Sequence, residues 1–600
     1  MEMRFKDWEP LLYSRLTPLK TITYVLNKIG LLHIAQQFKT GVFEVRNALG
    51  LQNLIRLSRS DKICHDLHYI LSNSETIINE LKSLPAKTKI LFPHMRGSYF
   101  LELFEIFLAH RLRYEGYQPL FLACGGLPIC NNYILGQYRS SHKWICKDCY
   151  RRQVQLLKTS KLQFITIPEL NTLSKSIRKV LIQTKNLSVN ECYDTSYHEV
   201  PIGRLIEPSV ARHLRKSALR AESTEEIRVW RKYLASAFLL VENFNNAINI
   251  IKPEIAILPG GLFFWYSIAL HMMRKNGIRV LCYETAFHYP PKGKLWMFAK
   301  NTSFIDPDWL SSAWQRWINK PLTFEENNRL DQGLQRRRSG SLCYPSPIEE
   351  QQQIRKELGF VDNKKPIVTL FTNVTWDAAV FGRSDAPFND VSEWVIETIR
   401  CLANQEISLV VRIHPAEAII HEGVYGRENL SSLLQEALGS LPKKIRIIPP
   451  ESKISSYSLL DLSNVAVFFA STLGLEAMIK GTIPVIIAGS SRYGHKGFGY
   501  CPKSKKEYIN FLTHIDTLKP PSLQEKELAR RFAYLYFFRI AWPIQFFNSG
   551  ARGIYSIDKF FINSLKDISP GKNKYLDVLV KAIKENKELV LPQELSDHLL

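Results

Sequence analysis

The sequence predicts an α/β protein: two Rossmann-like, doubly wound parallel-sheet domains facing a cleft, with helical extensions at both ends. Three observations carry this. Short apolar runs alternate with helical periodicity from about residue 88 to 300 and again from 366 to 520. Several runs end in glycine, histidine or hydroxyl residues, as strands do where they feed a ligand crevice. The 600-residue length exceeds what one hydrophobic core fills.

Composition sets the outer limits. Hydrophobic residues make up 45% and charged residues 22%, which excludes a disordered chain. The net charge of +23 favours anionic partners, namely a nucleotide, a nucleic acid or an anionic membrane face. No uninterrupted apolar run reaches the ~18 residues of a membrane span. The start, MEMRFKDWEPLLYSRL, lacks a secretory apolar region. Ten cysteines are too sparse for a disulfide scaffold, so a reducing, cytoplasmic setting is expected.

Residues 1–85 read as a basic helical extension, either a lid on the next domain or a surface resting on anionic lipid. The first α/β domain, residues 86–300, opens with the strand KILFPH, which delivers His94, Arg96 and Gly97 to its carboxyl end. The runs QPLFLACGG and LQFITIPEL supply the next strands. Around them lie Cys124, Cys130, Cys146 and Cys149, of which only the CKDC half has a strong ligand spacing; four thiolates are a candidate structural zinc site with no open position. Helices follow, with Arg204, Arg212 and Arg215 as a basic patch. The strand KPEIAILPGG and the strand GIRVLCYETAF complete the domain, and Glu284 and His288 emerge near the end of the latter. A carboxylate there is a candidate general base.

Residues 301–365 read as an interdomain connection, including a charged helix from Glu325 to Arg338. The second domain, residues 366–520, has five strand runs: PIVTLFTNVTWD, ISLVVRIHPAE, KIRIIPP, VAVFF and IPVIIAG. Asn373, Asp377, His414 and Ser471 thereby gather on one sheet edge. The stretch VAVFFASTLGLEAMIKG predicts a strand, a turn and a helix capped by Ser471, so hydroxyls, N–H groups and the positive helix end converge where a phosphate would sit. Thr472 and Glu476 are i, i+4 partners on that helix, the latter placed for a sugar hydroxyl pair. Residues 521–600 read as helices packing across both domains, although the aromatic and arginine-rich run RRFAYLYFFRIAWPIQFF could also face a membrane or stack on nucleic acid.

The His414-Pro415 strand end, the Ser471-Thr472 pair leading into GLEA, NVTWDAAVFG with FNDVSEWV, and SRYGHKGFGY followed by KEY together resemble the capsular or surface polysaccharide glycosyltransferases of bacteria, of the GT-B fold. Similar elements occur in sialyl-, polysialyl- and Kdo-transferases and in polyol-phosphate transferases. The resemblance spans roughly residues 88–545. It implies transfer of a sugar from a nucleotide-sugar to a lipid-linked or polysaccharide acceptor at the cytoplasmic membrane face, without a catalytic metal. It implies that His414 meets the donor phosphate and serves as an acid, that Ser471 and Thr472 take the same phosphate, that Glu476 holds the ribose and that Arg412 adds positive charge. The base would come from the first domain, with Glu284 ahead of His94. A CDP-polyol phosphotransferase and a nucleotide-sugar epimerase remain alternatives. No nucleic-acid recognition motif is present.

Overall fold

The computed structural model describes residues 59–600 apart from residues 86–87, 95–98, 128, 131–141, 168–181, 183, 217–222, 287–294, 307, 340–350, 361–364, 378–379, 381–386, 389, 419–429, 490–492, 550–556, 593–594 and 596–600. Most of the predicted N-terminal extension, and Arg96, Gly97 and His288, lie outside the described residues.

The first sheet contains β1 (Thr88–His94), β2 (Tyr117–Ala123), β3 (Gln163–Thr166), β4 (Ile255–Pro259), β5 (Arg279–Ala286) and β6 (Leu295–Lys300), in the order β3-β2-β1-β4-β5-β6. β1 to β5 are parallel, and β6 runs antiparallel to β5. The second sheet contains β7 (Ile367–Phe371), β8 (Ser408–Arg412), β9 (Ile445–Ile448), β10 (Val465–Phe468) and β11 (Val485–Ile487), in the order β11-β10-β7-β8-β9 and parallel throughout. β4, β7, β8 and β10 are buried at every position, as expected of strands covered on both faces by helices.

Every strand run read from the sequence is a strand, and β6 is an addition. LWMFA is an unbroken apolar run that needs a partner edge, and it finds one along β5.

In each sheet the chain winds outward in one direction and then crosses back. The reversals fall between β1 and β4 and between β7 and β10. Crevices for ligands open at the carboxyl ends of strands at such switch points.

The 28-residue helix Thr224–Ile251 is long and apolar enough by composition to cross a membrane. Trp230, Tyr233, Leu234, Val241 and Phe244 on it are instead core residues of the first lobe.

The run from Arg530 to Phe547 forms the end of the helix Leu523–Tyr534 and a π-helical turn, Leu535–Arg539. Trp542 then exchanges backbone hydrogen bonds with Trp296 of β6, at 2.9 and 2.7 Å. Phe532, Tyr534, Tyr536, Phe537, Phe538, Trp542, Phe546 and Phe547 are all buried, so this run is core and not an exposed aromatic surface. It returns the chain from the second lobe to the first, where Arg111 pairs with Asp577 at 2.9 Å.

Candidate functional site

The switch point of the second sheet is built by three strand ends, those of β7, β8 and β10. β7 leads into Thr372 and Asn373. The Asn373 Oδ1 accepts the Ala470 N–H at 3.0 Å, which ties the end of β7 to the turn after β10. Thr372 Oγ1 accepts the His414 N–H at 3.0 Å, which ties β7 to the end of β8 on its other side. Ser471 caps the helix Thr472–Lys480, its hydroxyl accepting the Leu473 N–H at 3.3 Å. The helix needs Gly474 in its first turn, because a Cβ there would collide with the Tyr493 hydroxyl and the Phe468 ring. That hydroxyl donates to the Ser471 carbonyl. Tyr493 and the first turn of the GLEA helix are therefore packed together.

His414 sits half-buried at the start of a short 3-10 turn, Pro415–Glu417. Its Nδ1 accepts the Ala416 N–H at 3.1 Å, so the proton of the neutral ring resides on Nε2. Burial, opposed by Asp377 and assisted by Arg412, pushes its pKa down to about 4. At neutral pH this favours the uncharged imidazole, with Nε2–H as its donor. Asp377 is exposed beside it.

Two expected contributors are held by protein partners. Arg412 is 2% exposed, and its guanidinium donates to the Pro449 and Ser452 carbonyls at 2.6 and 3.3 Å. It fastens the loop after β9, and from there its charge still acts on His414. Glu476 is 7% exposed, its Oε1 receives Arg337 Nε and Nη2 at 2.8 Å each, and its Oε2 receives the Tyr457 hydroxyl at 2.7 Å. A carboxylate held this way positions the helix. Arg337 Nη2 also donates to Thr472 Oγ1 at 3.1 Å, which leaves that hydroxyl its own proton to give.

Arg337, Tyr457 and Tyr493 were not singled out by sequence. Arg337 stood in a run of three arginines ending a charged helix, a pattern that also simply complements the helix dipole.

From the first lobe, Arg215 stacks over the Trp376 ring at 5.7 Å, beside Asp377. Arg204 and Arg212 lie over Tyr193 and Phe263. The basic patch is thus partly an aromatic-stacking device, and Arg215 joins the two lobes.

Glu284 is half-buried at the end of β5. Its Oε1 accepts the Thr285 N–H at 2.9 Å, and its Oε2 lies against Gly260, 3.3 Å from where a Cβ would stand. Gly260 and Gly261, with φ of +59° and +69°, form the turn after β4 that lets the carboxylate approach.

His94 is different. It is 2% exposed, its Nε2 pairs with Glu102 at 2.7 Å, and its Nδ1 pairs with Glu105. Glu105 also receives the Tyr283 hydroxyl at 2.7 Å. Burial opposes charge on the ring, but the two carboxylates outweigh it and raise its pKa to about 10. A sealed imidazolium between two carboxylates is a structural ion cluster, so His94 is withdrawn as a base.

The four cysteines surround the turn after β2. Cys124 Sγ accepts the Gly126 N–H at 3.4 Å, and Cys146 Sγ lies 3.5 Å from the position of a Gly126 Cβ. All four are free thiols. Burial and the neighbouring Cys130, Cys149 and Cys146 keep the Cys124 thiol well above its usual range. Among the described residues no three His, Cys, Asp or Glu side chains converge as a metal site.

No protein-family model matches the chain, and no curated protein matches it. Among solved structures, a UDP-GlcNAc 2-epimerase from Neisseria meningitidis bound to UDP-GlcNAc aligns over 83% of this chain and 100% of its own, at 9% identity and a TM-score of 0.20. Alr3699/HepE from Anabaena in complex with UDP-glucose aligns over 83% and 100%, at 12% identity and a TM-score of 0.25. An α,α-trehalose 6-phosphate synthase from Burkholderia multivorans aligns over 84% and 99%, at 10% identity and a TM-score of 0.27. At this overlap the likeness assigns no activity, and the fold statement rests on the strand order itself.

Proposed function

We propose that the chain is a nucleotide-sugar-dependent glycosyltransferase of the GT-B type that builds a surface polysaccharide. The observation that carries this reading is the joint placement of His414, Asn373 and Ser471 at the β7/β10 switch point, ahead of a capped helix. In this reading the donor's phosphate rests at that helix start, with the Ser471 and Thr472 hydroxyls and the His414 Nε2–H as donors. The bond from the sugar's anomeric carbon to the phosphate oxygen breaks, and the leaving phosphate's negative charge is met by fixed dipoles that need no reorganisation. An acceptor hydroxyl bonds to the anomeric carbon and gives its proton to Glu284, reaching over from the first lobe. A neutral imidazole donates a hydrogen bond here and does not hand over a proton from a charged ring.

The test is His414→Ala. Loss of one such donor costs about 10²–10³ in kcat. The variant should melt like the wild-type protein and lose transfer by that factor. Turnover within a few-fold of wild type in a folded variant rejects the assignment.

A further inference from the structure

Away from the strand-end residues, a groove of about 580 Å³ runs along the outer face of the helix Thr224–Ile251, lined by Thr184, Lys185, Thr224, Arg228, Arg231 and Lys232, with Ile227 and Ala235. Four cations and no carboxylate line it. The helix repeat explains the stripe: residues 224, 228, 231, 232 and 235 share one face, while Glu226, Val229, Trp230, Tyr233 and Leu234 are buried. Lys185 comes from a separate 3-10 turn, so the cations converge from two elements.

Three carboxylates lie nearby, and Glu225, exposed in the first turn of the helix, flanks the stripe without lining the groove. Glu191 is taken by the backbone N–H and hydroxyl of Ser188, both at 2.7 Å, and Glu226 pairs with Lys216 at 3.6 Å on the buried side. Arg231 is held by the Leu187 carbonyl at 2.9 and 2.6 Å and so forms a rigid wall. Among the described residues no carboxylate pairs with the exposed Lys185, Arg228 or Lys232. Like charges kept together without counter-charges repel, an arrangement that an anionic ligand relieves.

We propose that this groove is a second anion site, for a ligand carrying more than one phosphoryl group. From Thr224 to Lys232 the helix rises about 12 Å, longer than a single phosphate. The groove adjoins the lobe junction, because Lys216, which pairs with Glu226, follows Arg215, which stacks on Trp376. The inference does not depend on the activity assigned above.

The probe is inorganic tripolyphosphate, titrated calorimetrically at low salt into the full chain and into Arg228→Ala/Lys232→Ala. A control double variant, Lys62→Ala/Lys82→Ala, removes the same charge from exposed helix positions elsewhere. A second arm measures co-sedimentation of the same proteins with phosphatidylcholine vesicles containing phosphatidylglycerol. The groove variant should melt as wild type does and bind at least tenfold more weakly, in the first arm for a soluble phosphate ligand or in the second for lipid headgroups. The control should bind normally. Equal weakening in both variants, or unchanged binding of both probes by the groove variant, overturns the proposal.

Discussion

Arg337→Met removes a guanidinium that holds the helix Thr472–Lys480 in place. Its Nε and Nη2 share Glu476 Oε1 at 2.8 Å each, and the Arg337 and Glu476 side chains are 14% and 7% exposed. The Tyr457 hydroxyl occupies the other carboxylate oxygen at 2.7 Å, so burial and Glu476 push the Tyr457 pKa upward. Removing one partner of a buried pair costs about 3–5 kcal/mol, chiefly because the other charge is left behind. The residual exposure lets water reach the pair, which places the expected loss near 3 kcal/mol. For a unit the size of the second lobe this corresponds to a fall in Tm of about 6–12 °C. The assay is a melting series over Arg337→Met, Glu476→Gln and the double variant. The coupling energy should reach about 2 kcal/mol. A coupling below about 0.5 kcal/mol would mean an ordinary surface pair, and the clamp would not be what fixes the helix.

Two further outcomes follow from buried histidines. His94 has its pKa raised to about 10 from 6.5, so its stabilising charge is fully present below pH 6.5 and is lost as pH rises through about 10. His94→Gln should cost on the order of 3 kcal/mol at pH 7 and flatten the alkaline limb of a stability–pH curve measured by urea unfolding; an unchanged limb contradicts the ion cluster. His110 is buried, its Nε2 meets the Ser160 carbonyl at 3.0 Å, and burial with Arg113 pushes its pKa down to about 3. The unfolded chain then binds the extra proton first, so stability falls as pH drops from 6.5 toward 3, by about 1.4 kcal/mol per pH unit from this group. His110→Gln should shed that slope, and a slope identical to wild type counts against it.

How far the sequence speaks depends on the range of the interaction. Strand runs such as PIVTLF and VAVFF declare themselves because burial on both faces demands unbroken apolar residues. Ser471 was legible because a helix cap is a contact over two residues. The fate of Glu476 was not, since Arg337 lies 139 positions away and its helix reads as solvated charge. Arg412 shows the same limit: a strand-end arginine looks like a phosphate ligand until the fold places the Pro449 carbonyl in its reach. His94 was closer to legible. Glu102 and Glu105 are one helical turn apart on the helix that follows β1 and face back to it. The aromatic run near the C-terminus was ambiguous by composition and decided by packing, because β6 offered Trp542 an edge to pair with.

The central claim is that the carboxyl ends of β7, β8 and β10 form a nucleotide phosphate site. It is tested most directly by thermal shift with CMP, CDP, UDP and GDP, each on wild type and on a Ser471→Ala/His414→Ala variant. One nucleotide should stabilise the wild-type protein, by about 2.7 kcal/mol at a hundredfold excess over Kd, and the variant should lose most of that shift. No shift with any of the four, or a shift that survives in the variant undiminished, contradicts the account.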